Sequence, residues 1–239
     1  MNDFYRKYGS VFGCSDNFSV TDSALDQDFL SEFIDFVKNN QEKPDLTVLQ
    51  MCNSLHDPNT DTDTVKRILV ALSSSDNIEV LRSLQQYAGN ISPDSELKNW
   101  VDFVINQCKN NVENSLLGTN KILISTGLGA LNGKPRYFVA FISKDNTEFS
   151  SSQKSIINKE LDFAASQCDV QIEDLFFDSD YAVSTVLIPF NLDIKPFFSK
   201  VVEEINKLGN FLCKDFIVTN VKKLSRQEIT RIIEKNTKS

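Results

Sequence analysis

The sequence predicts an α+β chain: an all-helical region, then an antiparallel sheet with helices on one face. Three observations carry that reading. Up to about residue 113 the apolar residues recur at helical spacing, as Leu30, Phe33, Ile34 and Val37 do. Beyond about residue 120 they gather into β-branched and aromatic runs of strand length. Two amphipathic stretches lie between those runs, so strands and helices are interleaved.

The elements follow in order. Residues 1–24 are polar, rich in Gly, Ser and Asp, and read as a poorly ordered lead-in without an apolar run of signal-peptide length. Residues 25–113 read as a helical domain. Its first helix carries "LSEFIDFV" at 30–37, and Pro44 and Asp45 open a second through Leu46, Leu49 and Leu55. "TDTVKRILVALSSS" gives a third, with Asp63 or Thr64 as N-cap. "DNIEVLRSLQQYAG" gives a fourth, with Asp76 and Glu79 as a relative of the capping box and Gly89 at its end. "SPDSELKNWVDFVINQCK" gives a fifth, with Ser92 as N-cap and Pro93 at the first helical position. "LKNWVDFV" at 97–104 echoes "LSEFIDFV" over a single helix, which favours two helices sharing one apolar stripe over a stacked repeat.

Residues 121–239 read as an α+β sandwich domain. The strand runs are "KILIST", "RYFVAFIS", "VQIEDLFFDS", "YAVSTVLIPF" and "KDFIVTNV". One helix opens at a Ser150–Gln153 capping box, another runs from Asp193 to Gly209, and a last begins at Ser225 and Glu228. The order is ββαββαβα. Without its first strand this is βαββαβ, the ferredoxin-like order. There the first strand already has two neighbours, so a hairpin partner for it competes with the last strand. Either the extra strand sits at an edge, or the sheet is rearranged into two linked ββα units.

The competing strand comes from "STGLGALNGKPRYF", residues 125–138, which superficially resembles a phosphate loop. The spacing of Gly127 and Gly129 to Gly133 fails, Pro135 stands where a magnesium-binding Ser or Thr is needed, and a strand follows instead of a helix. Asn132-Gly133 instead suits a type I′ hairpin turn, with Gly127 and Gly129 permitting a bulge or a close backbone approach.

Composition narrows function by exclusion. A net charge of −8 is concentrated in residues 1–113, which hold 9 Lys/Arg against 18 Asp/Glu and so disfavour nucleic acid as a partner. From Lys214 onward the balance reverses, with seven basic and three acidic residues, which reads as a solvated face or a contact for an acidic partner. Five widely spaced cysteines without a CxxC pair indicate free thiols and a cytoplasmic setting. No apolar run approaches the ~20 residues of a membrane span, and no membrane contact is expected.

Candidate sites are few. Lys121, Lys134 and Arg136 around the hairpin are candidate anion contacts. In "MCNSLHDPNTDTD", Cys52 and His56 share a helix face ahead of Asp57 and Asp61, a candidate metal set opposed by the simpler reading of a helix end and an acidic cap. Glu173/Asp174 and Asp178/Asp180 read as turn residues rather than a catalytic pair. Cys108 and Cys168 read as inert thiols. No catalytic residue and no cofactor is expected. The leading expectation is a non-enzymatic protein-interaction or regulatory module that docks a protein partner or self-associates. The alternative is a small-ligand or anion-binding sensor or enzyme with a pocket between the two halves, and a third is nucleic-acid binding through the basic tail.

Overall fold

The computed structural model describes residues 18–40 and 44–237, so most of the expected lead-in lies outside the described residues. The chain divides into two compact units. One is Asp26–Ile124 with the residues just before Val20; the other is Val20–Leu25 with everything from Ser125 onward.

The helical unit holds α1 (Gln27–Asn39), α2 (Val48–Leu55), α3 (Thr62–Leu72), α4 (Ile78–Asn90) and α5 (Leu97–Leu117). Short strands β1 (Phe18–Val20) and β2 (Ile122–Ile124) pair with each other. Four helix starts differ from the sequence reading. Thr47, not Pro44 or Asp45, opens α2, through a capping box with Gln50. Asp61, not Asp63 or Thr64, caps α3 by accepting from the Thr64 N–H. Asn77 caps α4, and Gly89 lies inside that helix. Pro93 sits in a turn closed by the Ser95 N–H on the Ser92 carbonyl, so α5 begins only at Leu97. In each case two or more cap-competent residues lie within one turn. Packing of the buried stripe decides which one caps.

The two echoing stretches pack against each other. Phe33 lies 5.1 Å from Trp100 and 4.8 Å from Phe103, and Phe36 lies 5.1 Å from Trp100. The matched positions therefore form one aromatic core, with Trp100 fully buried and the Lys66 ammonium 5.0 Å from its ring centre.

The second unit is an α+β sandwich. Its elements are β3 (Ala130–Leu131), β4 (Lys134–Ser143), α6 (Ser151–Gln167), β5 (Gln171–Asp178), β6 (Tyr181–Leu187), α7 (Ile194–Lys207), β7 (Leu212–Thr219) and α8 (Arg226–Thr237). The strands lie in the order β5-β6-β4-β7, all antiparallel, which is the ferredoxin-like arrangement. The competition for the β4 edge is resolved by sharing. β3 pairs with Lys134 and Pro135, and β7 takes the same edge further on, from Phe138 to Ser143. The other edge pairs with β6.

The run "RYFVAFI" is apolar at consecutive positions, so β4 needs cover on both faces. On one face Val139, Phe141, Ala182 and Val186 pack with Leu161 of α6 and Phe198 of α7. On the other, Phe138, Ala140 and Tyr181 pack under Ile229 and Ile233 of α8 and under Leu224 before it. Two helices thus share one face, and the C-terminal helix lies on the opposite one.

The glycine-rich stretch is the seam of this unit. Asn132 and Gly133 have φ of 52° and 75°, the two positive values a type I′ turn requires. A Cβ on Gly127 would lie 1.6 Å from the Val221 carbonyl oxygen, and one on Gly129 would lie 2.3 Å from that of Asp22. The Leu128 and Ala130 N–H groups donate to Asn220 and Asp22 rather than facing a ligand. Gly127→Ala is therefore expected to cost on the order of 3 kcal/mol in urea unfolding. Gly133→Ala, with open space but positive φ, should cost about 1 kcal/mol. Gly89→Ala, in open space inside α4, should stabilise by about 0.5–1 kcal/mol. A neutral Gly127→Ala would refute the close approach.

Candidate functional site

The α8 face of the sheet carries a small constellation assembled by strand register. Asp174 lies opposite Thr185, Phe176 opposite Val183, and Asp178 opposite Tyr181. Val183 and Tyr181 belong to the core under α8, so these three alternate residues of β5 share its face. Asp174 accepts from the Thr185 N–H at 2.6 Å and from the Lys223 ammonium at 3.0 Å. Asp178 accepts the Tyr181 hydroxyl at 2.8 Å through one oxygen, and its other oxygen lies 4.0 Å from the Arg226 guanidinium. Between these pairs stands Phe176, 62% exposed.

Both cations come from the start of α8, where the local sequence fixes the backbone. The Glu228 N–H donates to the Ser225 hydroxyl, and the Ser225 N–H donates to the Glu228 carboxylate, the expected capping box. Lys222 also reaches Glu228 and, with Ser225, holds its carboxyl down to about 2. Burial pushes the Asp174 carboxyl up, but bonds from Lys223 and Thr185 outweigh it and leave the group below its usual range. Tyr181 is pushed up to about 12 by burial and by its bond to Asp178, which keeps it a neutral donor. The arrangement can stack a planar ring on Phe176 and present Lys223 and Arg226 to anions. Their present pairs are exposed and worth only about 0–1 kcal/mol each, so either cation can change partner at little cost.

Of the sequence candidates, Arg136 lies on this sheet face, two residues before Phe138. Lys134 donates to the carbonyl and carboxylate of Asp169, both at 2.7 Å. Arg136 donates through Nε to both oxygens of Glu173, at 2.9 and 2.7 Å, and the Glu173 bond raises its pKa further. Lys121 belongs to the helical unit, where Asn110 and Asn114 donate to its carbonyl. His56 contacts the Ser83 hydroxyl at 3.3 Å and the edge of Tyr87. Asp57 accepts from Asn59, and Asp61 is spent capping α3. Among the described residues no three His, Cys, Asp or Glu side chains gather as a metal set, and Cys52 is a free thiol. Cys108 is fully buried, and burial followed by the charges of Asp76 and Cys52 pushes its thiol up to about 11.

Sequence reasoning missed Phe176, whereas Lys223 and Arg226 lie in the basic tail offered for nucleic-acid binding without being singled out. Asp174 and Asp178 were assigned to a turn, yet both lie within β5. The available signal was the alternation Asp174–Phe176–Asp178, which places one aromatic on an otherwise acidic strand face.

No family model and no curated protein matches the chain. Among solved structures it is similar to a Deinococcus radiodurans R1 protein described as a transposase, at a TM-score of 0.35 and 17% identity over 43% of this chain and 90% of that one. It is also similar to a REP-associated tyrosine transposase bound to a REP hairpin, at a TM-score of 0.33 and 7% identity over 42% of this chain and 63% of that one. At these values the likeness assigns no activity and no residue role here. The expectations of a non-enzymatic protein-interaction module and of nucleic acid as an unlikely partner are corrected, since both neighbours are described as transposases and one holds a REP hairpin. The exclusion rested on a charge averaged over the acidic half, whereas binding depends on local charge.

Tyr181 gives a pH test of the constellation. A folded pKa raised from 10.0 to about 12 stabilises the fold fully below pH 10 and is lost as pH rises through about 12. Urea midpoints should fall across that window, and the fall should be shallower in Tyr181→Phe. Identical alkaline profiles for the two proteins would contradict the assignment.

Proposed function

We propose that the α+β unit binds single-stranded nucleic acid on the α8 face of its sheet. Phe176 provides the stacking surface, and Lys223 and Arg226 provide the phosphate contacts. The observation that carries this reading is the exposed Phe176 ring standing between two cations held only by surface ion pairs. Every base has a π-face, so stacking of this kind tolerates any sequence but requires an unstacked base. The chain from Lys214 onward is basic, and the acidic excess lies in residues 1–113. Among the described residues no helix is long and apolar enough to cross a membrane. Cys52, Cys108, Cys168 and Cys213 are free thiols, which supports a cytoplasmic location.

Fluorescence anisotropy with labelled single-stranded DNA, RNA of the same sequence and the matching duplex tests the proposal. The single strands should bind more tightly than the duplex, with affinity falling steeply as salt rises. Phe176→Ala should weaken binding about tenfold, within the ~1–3 kcal/mol range for loss of one stacked base. Arg226→Ala should lower the salt slope by about 0.7. Absence of binding at low salt, or an unchanged affinity in Phe176→Ala, would overturn the assignment.

A further inference from the structure

The two carboxylates beside Phe176 differ in what they have left to offer. Asp174 has one oxygen on the Thr185 N–H and the other on the Lys223 ammonium, and its side chain is 22% exposed. Asp178 is 55% exposed; one oxygen takes the Tyr181 hydroxyl, and the other has only Arg226 at 4.0 Å, beyond hydrogen-bond reach. Asp178 therefore retains acceptor capacity on the solvent side of the constellation. It stands two residues along the strand from Phe176 on the same face, about 6.6 Å of strand rise.

Resting on the single-strand reading above, we propose that Asp178 sets a base preference at the Phe176 position. Its free carboxylate oxygen accepts from the exocyclic amine of the stacked base, so among pyrimidines cytosine is favoured there. Thymine and uracil present a carbonyl oxygen at the corresponding position and are disfavoured by acceptor facing acceptor. The Tyr181 hydroxyl bond fixes the carboxylate in place, and Arg226 is freed to meet the adjacent phosphate.

The test compares binding of labelled oligo-dC and oligo-dT of equal length to the full chain and to Asp178 variants. The parent chain should bind oligo-dC about tenfold more tightly, in line with the ~1–3 kcal/mol that a base-edge contact contributes. Asp178→Asn keeps an oxygen for the Tyr181 hydroxyl and presents a donor to the base, so the preference should vanish or turn toward oligo-dT. Asp178→Glu keeps the carboxylate and should retain the dC preference. Thermal unfolding of each variant separates loss of fold from loss of preference. Equal affinity of the parent chain for both oligonucleotides overturns the base preference while leaving single-strand binding intact. A dC preference that survives in Asp178→Asn overturns the role of Asp178. Binding of neither oligonucleotide overturns both readings.

Discussion

The α+β unit depends on one strand and its need for cover on every side. β4 is ten residues long and apolar at consecutive positions, so neither of its faces nor either of its edges can be left to water. Its length lets β3 and β7 share one edge in tandem while β6 runs along the other. Its two apolar faces call for two covers, α6 with α7 on one side and α8 on the other. Burial at about 25 cal/mol per Å² drives that enclosure, and the polar constellation is its by-product. Once Ile229 must sit over Phe138 and Ala140, the turn leading into α8 has to pass β5, which brings Lys223 to Asp174 and Arg226 to Asp178.

What could be read from the sequence was what is decided within a few residues. The capping boxes at Ser150 and Ser225 and the turn at Asn132-Gly133 need only their own neighbours, and all three occur as expected. The close approaches at Gly127 and Gly129 were legible as a need, though not as the identities of Val221 and Asp22. The starts of α2, α3, α4 and α5 were placed off by one to several residues, because each stretch offers a choice of caps that only packing resolves. The candidate face was illegible for a different reason. Aspartate is depleted in strands, so Asp174 and Asp178 argue locally for a turn. They are tolerated in β5 because Lys223 and Arg226 meet them from 49 and 48 residues further along the chain. Nothing in a local window signals a partner at that distance.

The same pairs set a balance between order and availability. An ion pair in the core would hold the start of α8 firmly but would withhold its cation from any ligand, and breaking it would be costly. Exposed pairs steer the helix without committing the charge. The firm anchoring of α8 falls instead to Ile229, which is fully buried, and to the Ser225–Glu228 cap. Packing and the exposed charges thus fall to different side chains of the same short segment.

The aromatic seam between α1 and α5 has a spectroscopic consequence. The chain has a single tryptophan, and it lies at the centre of that seam, enclosed by Phe29, Phe33 and Phe36 with an ammonium over its ring. Indole emission therefore reports the packing of the helical unit alone, whereas tyrosine is shared between Tyr87 in that unit and Tyr137 and Tyr181 in the other. Loss of the helical packing can thus be followed selectively in an unlabelled sample and set against a whole-chain signal to test whether the units unfold together.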